Sequence, residues 1–297
     1  MIDGFDGFYR MSNQTESRQL YPVQEYIDQQ NMPPKEGLRG ICPVCGSEAS
    51  FTKFTENLRE SGTCSHCGSS SRQRQMALML RRRFHVGPIG PIEFPRGFCV
   101  YNAESNGPLH KRLSKLPGYV CSEYFGDRYR SGEIVKGVRH EDLQKLSFRD
   151  ASVDVVLSSD VLEHMPAPYD AHRDIFRVLK PGGRHIFTVP FNPSRYEDDV
   201  RARLVDGEIE YLAEKQFHGD PVRPGEGILV WTIFGVDMLH KLEQIGYVAR
   251  AWNLYEPEHG IVGNCNTIFE AYKPDAGKGF QALHGIRDLY RSLTSKR

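Results

Sequence analysis

From residue 97 onward, apolar segments of strand length alternate with amphipathic segments of helix length. Seven strands are predicted, at GFCVYNA, GYVCSEYF, EIVKGVR, SVDVVLSSD, RHIFTVPF, YVARAWNLY and CNTIFEAYK. Helices are predicted between them, at PLHKRLSKL, YDAHRDIFRVLK and VDMLHKLEQIG. Alternation at this spacing is typical of a mostly parallel sheet with helices on both faces. The sequence therefore predicts an α/β fold built on a seven-stranded sheet.

Two departures from the alternation refine this prediction. The last two strands are joined by only a short loop, so we expect them to form an antiparallel pair at one edge of the sheet. Residues 191–230 are too long for a plain connection, and such insertions usually serve as lids or binding loops. The predicted divisions are a mobile arm at 1–37, a cysteine-rich segment and its helix at 38–86, the sheet domain at 97–273 and a C-terminal helix at 274–297.

The cysteine-rich segment contains two C-x-x-C pairs, Cys42/Cys45 and Cys64/Cys67, separated by 18 residues. Two such turns can direct four thiolates to one point, about 2.3 Å from a zinc ion, and this spacing is typical of zinc sites. Four thiolates leave no open position on the metal, so we expect a structural zinc ribbon. A redox dithiol pair or free thiols are the alternatives.

The segment that follows the second cysteine pair is rich in arginine. SRQRQMALMLRRRF carries Arg72, Arg74, Arg81, Arg82 and Arg83 on a predicted helix. Such a cluster can bind the phosphates of RNA or of a nucleotide-linked substrate. The alternative is an ordinary solvated helix face.

Composition argues against a protein whose whole surface binds nucleic acid or membranes, because 38 basic residues balance 38 acidic ones. No apolar run approaches the roughly 18–20 residues that span a bilayer. The N-terminal residues also lack the basic and apolar regions of a signal peptide. We therefore expect a cytoplasmic protein with reduced thiols and no membrane partner.

One long segment carries a family resemblance. SVDVVLSSDVLEHMPAPYDAHRDIFRVLKPGGRHIFTVPF resembles the central part of class I S-adenosylmethionine-dependent methyltransferases of the type 11 kind. The similarity extends over residues 97–273 and is most specific at 142–190. It implies a Rossmann-like sheet, S-adenosylmethionine as cofactor and methyl transfer as the reaction. An N-terminal zinc ribbon occurs on some relatives.

The resemblance also implies cofactor contacts at the ends of the predicted strands. Glu123 is expected to accept both ribose hydroxyls, although it could be only an exposed acid at a strand end. Asp142 and Leu143 resemble the pair that binds the adenine, although Asp142 could simply cap a helix. Three further contacts are expected where the fourth strand ends, at Ser158, Ser159 and Asp160.

The first loop of the predicted sheet departs from the family pattern of an acid followed by G-x-G-x-G. The matching residues here are Asn102, Ala103, Glu104, Ser105, Asn106 and Gly107. Glycine suits such loops because it accepts positive φ, and asparagine is the next best residue at this task. We therefore expect a working loop in which Glu104 binds the methionine ammonium. A decayed site that no longer binds cofactor is the alternative.

The acceptor and its base are less defined. His164 follows Glu163 near the carboxyl edge of the sheet, and it either acts as a general base or braces the following helix. His218, close to Asp220 in the insertion, is a second candidate base. We expect a small-molecule acceptor, such as a saccharide or related metabolite, methylated on oxygen or nitrogen. The alternatives are an RNA methyltransferase and a binding protein without catalysis, and the oligomeric state stays open.

Overall fold

A computed structural model describes residues 32–275 except 194, 220–224, 226, 264 and 265. Nearly all of the predicted N-terminal arm and C-terminal helix lies outside the described residues, as do Asp220 and Cys265. None of the described helices combines the length and apolarity needed to cross a membrane.

The described residues form 17 strands and four α-helices. The strands are β1 (Leu38–Cys42), β2 (Ser47–Thr52), β3 (Thr63–Cys64), β4 (Val100–Asn102), β5 (Tyr119–Cys121), β6 (Ile134–Val135), β7 (Val138–Arg139), β8 (Val153–Ser159), β9 (Leu179–Thr188), β10 (Asp199–Val200), β11 (Ala202–Val205), β12 (Glu208–Tyr211), β13 (Phe217–Gly219), β14 (Gly227–Leu229), β15 (Thr232–Ile233), β16 (Val248–Asn253) and β17 (Thr267–Tyr272). The helices are α1 (Ser71–Arg83), α2 (Gly107–Leu113), α3 (Pro168–Val178) and α4 (Asp237–Ile245).

The central sheet has six strands in the order β16-β17-β9-β8-β4-β5. The four strands β5, β4, β8 and β9 are parallel neighbours. The sequence prediction of an antiparallel pair at one edge is confirmed, because β17 runs antiparallel to both β9 and β16. The sheet is thus mixed, with a parallel centre.

The prediction of a seventh strand at EIVKGVR is wrong. This segment folds back on itself as the hairpin β6–β7. Its two turn residues, Lys136 and Gly137, have φ values of 51° and 81°, which suit a tight two-residue hairpin turn. Beyond β5 only an isolated parallel bridge between Glu123 and His140 extends the sheet among the described residues.

Each face of the sheet covers its own core. Successive residues of a strand point to opposite faces, so Val156 packs with α3 and α4 while Val155 and Leu157 pack with α1, α2 and the cysteine-rich segment. The cysteine-rich segment is the three-stranded antiparallel sheet β1-β2-β3. It shares one continuous core with the large sheet, and α1 forms the middle of that core.

Both sequence interpretations of the arginine cluster are wrong for its two most buried members. Arg74 is 0% exposed, and its guanidinium donates hydrogen bonds to the carbonyls of His259 (2.9 Å) and Gly260 (2.7 Å). Arg81 is 2% exposed and donates to the carbonyls of Pro43 (2.6 Å) and Gly90 (2.7 Å). These side chains fasten the loops around α1 instead of facing a phosphate or water.

The remaining arginines of α1 are also paired inside the protein. Arg82 lies 2.7 Å from Glu256, and Arg83 lies 2.9 Å from Glu270 while stacking over Trp252. Arginine binds buried carboxylates and carbonyls well because it stays charged and offers five donors. Four of the five arginines are therefore committed to partners within the protein, and Arg72 lies at the carboxyl edge of the sheet with Glu60 and Ser159.

The predicted insertion consists mainly of three small antiparallel pairs, β10–β15, β11–β12 and β13–β14. Its hairpins expose large apolar side chains, among them Leu204, Ile209 and Phe217. The β13–β14 pair turns back toward the carboxyl edge of the large sheet, where Leu229 contacts His164.

Candidate functional site

Polar side chains gather where β4, β5 and β8 end at the carboxyl edge of the sheet, among them Glu123, Ser159 and Asp160, and we call this region the crevice. In open α/β sheets this edge, between neighbouring strands whose connections diverge, is where ligands bind. The loop at 102–107 follows β4, and Asp160 follows β8. Residues of α1 and of the loop between β2 and β3 approach the same edge from the cysteine-rich segment.

The loop at 102–107 makes the tight turn that its sequence predicts, with one difference. Gly107 has a φ of 81°, whereas Asn106 is extended, so the glycine alone takes the left-handed conformation. The Asn102 side chain donates to the Glu104 carbonyl at 2.9 Å and holds the loop closed. A Cβ added at Gly107 would lie 2.8 Å from the side-chain nitrogen of Gln73, so α1 packs directly on this turn.

Glu123 is joined to this loop. One oxygen of its carboxylate accepts hydrogen bonds from the backbone N–H and the hydroxyl of Ser105, each at 2.8 Å. Glu123 follows β5, so the two strand ends are held in a fixed relation. The predicted ribose acid therefore lies beside the predicted cofactor loop.

Glu104 is a second carboxylate at the crevice. Burial raises its pKa to about 7, although the nearby Arg72 lowers it and so opposes that effect. Arg72, in the first turn of α1, also pairs with Glu60 at 2.7 Å and hydrogen-bonds to Ser159. The crevice thus contains one acid that titrates near neutrality and one permanently charged base.

Asp160 lies in a strained conformation at the end of β8. Its φ is 52°, and such outliers cluster at functional sites. Its carboxylate accepts two parallel hydrogen bonds from Arg59, at 2.8 and 2.7 Å, and one from Thr188 at 2.9 Å. Burial alone would raise the pKa of Asp160, but Arg59 and Arg72 outweigh it and hold that pKa below its usual value.

The two serines before Asp160 point in opposite directions. The Ser158 hydroxyl is fully buried and lies 2.9 Å from Nε2 of His185. The Ser159 hydroxyl contacts Arg72 and lies 3.3 Å from the Thr188 hydroxyl. Of this pair, only Ser159 has its side chain at the crevice.

Asp142 and Leu143, the predicted adenine contacts, lie beyond the β6–β7 hairpin. One oxygen of Asp142 accepts a hydrogen bond from the Gln144 backbone N–H at 2.9 Å and closes an Asx turn. No described helix begins there, so the helix-cap alternative is wrong. The Leu143 side chain is 3% exposed and packs in the core with Tyr101. A role in adenine binding stays a prediction for both residues.

His164 and His218 are brought together, with ring centroids 5.0 Å apart. Nδ1 of His164 lies 2.8 Å from the Leu229 carbonyl, so this ring braces the insertion instead of the following helix. The carboxylate of Glu163 raises the pKa of His218 above its ordinary value. The acid beside His218 is therefore Glu163, since Asp220 lies outside the described residues.

Sequence reasoning missed Arg59, Glu60 and Glu163. Arg59 and Glu60 occupy a loop, NLRES, that matches no recognisable motif. Glu163 was noted only as the neighbour of His164. The sequence places His164 beside Glu163, but it does not show that the insertion folds back and brings His218 to the same acid.

The four cysteines converge as the sequence predicts. Their sulfurs all lie within 4.8 Å of one another, and the Cys42 and Cys67 sulfurs are 3.7 Å apart. Tetrahedral zinc with bonds of about 2.3 Å requires sulfurs about 3.8 Å apart, so the arrangement fits that ion. Gly46 and Gly68 have φ values of 69° and 76° in the two turns, as expected for such turns.

Comparison with known families identifies the centre of the chain. Residues 121–187 match a methyltransferase domain. This segment begins at the last residue of β5 and ends within β9, and it includes Glu123, Asp160 and His164. The first loop, the cysteines and His218 lie outside it. The prediction of a methyltransferase is therefore confirmed at the level of this domain.

Curated relatives agree with this domain match. An uncharacterized methyltransferase of Mycobacterium marinum is 29% identical over 114 residues, which cover 38% of this chain and 45% of the relative. A corresponding Mycobacterium tuberculosis protein is 28% identical over the same extent. The chain thus spans less than half of the length of these relatives.

Solved structures of S-adenosylmethionine-dependent methyltransferases are similar to this chain only at a distance. One from Mesorhizobium loti is 16% identical with a TM-score of 0.38, covering 60% of this chain and 93% of that one. A putative methyltransferase from Listeria monocytogenes has 14% identity and a TM-score of 0.40, covering 68% and 99%. Scores this low do not bear on the chemistry of this chain.

Proposed function

We propose that this chain is an S-adenosylmethionine-dependent methyltransferase that binds its cofactor in the crevice at the carboxyl edge of β4, β5 and β8. One observation carries the proposal: the acid Glu104 and the base Arg72 lie close enough together at the carboxyl edge for each to perturb the pKa of the other. The methionine part of the cofactor carries an ammonium and a carboxylate, which complement them. A phosphate-bearing cofactor would instead meet the carboxylates of Glu104 and Glu123.

The other predicted contacts follow from this placement. Glu123 accepts the ribose hydroxyls through its carboxylate, and Asp142 and Leu143 lie toward the adenine. Asn102 and Gly107 shape the first loop, while Ser159 and Asp160 border the methionine end. We assign Ser158 a supporting role, because its hydroxyl lies beneath the crevice, against His185.

Calorimetric titration with S-adenosylhomocysteine tests this cofactor site. Glu123→Ala should weaken binding by about 1–3 kcal/mol, since the ribose hydroxyls lose their acceptor. The matched control is Glu133→Ala, an exposed acid, which should bind like the wild type. Unchanged affinity in Glu123→Ala would remove the ribose assignment. Absence of binding to the wild-type protein would instead favour a non-catalytic binding protein.

We propose a small molecule, such as a saccharide or a related metabolite, as the methyl acceptor. Methyl transfer is a displacement in which the enzyme mainly aligns the acceptor with the sulfonium methyl and excludes water. His164 and His218 would act on the acceptor side, beneath the β13–β14 hairpin. Zero net charge and the burial of Arg74 and Arg81 support this class over RNA.

Transfer of a labelled methyl group distinguishes the two acceptor classes. The purified protein would be incubated with labelled cofactor and either a metabolite extract or total RNA. Label in the small-molecule fraction supports the proposal. Label in RNA, or RNA binding that weakens steeply with salt, would favour the RNA methyltransferase instead.

We further propose that the four cysteines bind one structural zinc ion. All four sulfurs would be ligands, so this ion would hold the ribbon together and offer no position to a substrate. Such a site requires reduced thiols, in agreement with the predicted cytoplasmic location, which stays a prediction.

A further inference from the structure

A second group of metal-type ligands lies about the Glu163 side chain. Glu163, His164 and His218 each place one ligand atom within 4.8 Å of the others. Glu163 and His164 belong to a short turn after β8, whereas His218 comes from β13 of the insertion. The group therefore forms only when the insertion folds back on the sheet.

The Glu163 carboxylate is 0% exposed, and neither of its oxygens has a hydrogen-bond partner among the residues that the structure describes. Nε2 of His164 and Nδ1 of His218 each lie 3.6 Å from the same oxygen. A buried carboxylate without a partner costs several kcal/mol, so such groups are normally paired or bind a metal. At 3.6 Å, neither imidazole is within hydrogen-bond distance of this acid.

The two imidazoles are oriented as ligands. Nδ1 of His164 faces the Leu229 carbonyl at 2.8 Å, so that nitrogen carries the proton and Nε2 keeps its lone pair toward Glu163. A histidine that donates its other N–H to a carbonyl is the usual arrangement around a bound metal. His218 approaches almost perpendicularly, with 87° between the ring planes.

We propose that Glu163, His164 and His218 bind a divalent transition-metal ion, with Zn²⁺ as the reference ion. Bonds of about 2.0–2.2 Å in tetrahedral geometry place ligand atoms about 3.4 Å apart, close to the observed 3.6 Å. Two imidazoles and one carboxylate suit zinc, iron, cobalt or manganese and disfavour magnesium.

This site differs from the four-cysteine site because one position stays open. The exposed fraction of the side chain rises from 0% at Glu163 to 11% at His164 and 35% at His218. Three protein ligands and an exposed side are the pattern of metal sites that bind an exogenous ligand. The site borders the crevice, since Glu163 follows Asp160 by three residues after the end of β8.

Metal content after equilibration with Zn²⁺ and dialysis tests the site, with no cofactor or methyl transfer involved. We expect two zinc ions per wild-type chain and one in His218→Ala. The thiolate-to-metal absorption of the cobalt-substituted protein should be unchanged in that variant, because the cysteines stay intact. His240→Ala, on the exposed side of α4, is the matched control and should keep both ions.

Glu163→Gln provides a second test that preserves the shape of the side chain, and it should also lose one ion. The proposal fails if the wild type binds only the cysteine-held ion when titrated with Zn²⁺. It fails equally if His218→Ala and Glu163→Gln both keep two ions. The first result would favour a protonated His218 as the counter-charge of Glu163, and the second would place the second ion elsewhere in the protein. Because the readout is metal stoichiometry, absence of cofactor binding would not affect it.

Discussion

Two polar regions of this protein treat buried charge in opposite ways. Around α1, each buried arginine meets carbonyls or carboxylates from distant parts of the chain, as Arg74 does with His259 and Gly260. At the carboxyl edge, Glu104 titrates near neutrality and Glu163 has no hydrogen-bond partner among the described residues. The first region uses charge to join loops, and the second leaves charge unsatisfied.

The difference distinguishes charged groups that stabilise the fold from charged groups that are available to a ligand. A charge that is fully paired in the free protein can contribute to stability, whereas an unpaired buried charge costs stability unless a ligand compensates for it. Neutralising a charge should therefore destabilise the region around α1, whereas neutralising Glu104 or Glu163 should stabilise the carboxyl edge or leave it unaffected. Four substitutions test this contrast.

The largest effect is expected from Cys64→Ser, which removes one ligand from the four-cysteine cluster. We expect the loss of one zinc ion per chain and of on the order of 5 kcal/mol of unfolding free energy. The loss is smaller than the roughly 10–16 kcal/mol of isolated zinc-finger peptides because the sheet also holds the ribbon. Metal analysis and thermal unfolding measure both quantities.

Cys99→Ser is the control for this substitution, because Cys99 is half-buried before β4 and away from the cluster. It should retain all bound zinc. A Cys64→Ser protein with full zinc content and an unchanged unfolding transition would contradict the structural role of the cluster.

Arg74→Ala should lower the unfolding free energy by roughly 3 kcal/mol, because several buried carbonyls lose their donor. Arg39→Ala, at an exposed position of β1, should change stability by less than about 0.5 kcal/mol. Urea unfolding of the two variants measures the difference. Equal stabilities would mean that the buried guanidinium is not what joins the ribbon to the loop at His259.

Glu104→Gln should have a pH-dependent effect of on the order of 2 kcal/mol or less. Burial raises the pKa of Glu104 from its ordinary value of 4.5 to about 7 in the folded protein, so the folded state holds this proton more tightly. Wild-type stability attributable to this group therefore falls as pH rises from about 4.5 to 7. The stability advantage of Glu104→Gln should grow over the same range and then level off.

Unfolding measured between pH 5 and pH 8 checks this slope. Saturating S-adenosylhomocysteine should reduce the advantage of the glutamine variant, because the bound ammonium would compensate the wild-type carboxylate. A difference between the two proteins that does not vary with pH would show that burial does not perturb Glu104.

The smallest effect is expected from Glu163→Gln in metal-free protein, a gain of about 1 kcal/mol or no change. The matched buried acid is Glu141, which accepts from Arg139 at 2.6 Å and from the Ser147 backbone at 2.9 Å. Glu141→Gln should lose roughly 1.5–3 kcal/mol, the usual contribution of hydrogen bonds to a charged group. If both variants lose stability equally, the contrast between the two regions does not hold at Glu163.

The fold was predictable where a local pattern decides it. The antiparallel edge followed from loop length, and α4 ends at Gly246, whose φ of 119° permits the stop. The seventh strand was mispredicted because Lys136-Gly137 forms a hairpin turn within an otherwise strand-like segment. The tendency of these two residues to form a tight turn outweighed the strand tendency of the residues around them.

The sites were predictable only in part, for a related reason. The cysteine cluster could be read because all its ligands lie in two short motifs. The partners of the buried arginines could not be predicted, since Arg74 binds residues about 185 positions later in the sequence. The candidate metal site at Glu163 similarly requires His218, a residue of the insertion 55 positions later in the sequence. Motifs and periodicity do not predict contacts between residues that are far apart in the sequence.

The helix α1 belongs equally to the ribbon and to the large sheet, with Met76, Met79 and Leu80 in the core that covers Val155 and Leu157. A truncated protein beginning at residue 97 would therefore expose one whole side of its sheet to water and should aggregate. A chimeric protein that receives the cysteine-rich segment of another protein must therefore also receive the helix that packs with it. The part of this protein that must stay together for folding is therefore larger than the metal-binding motif.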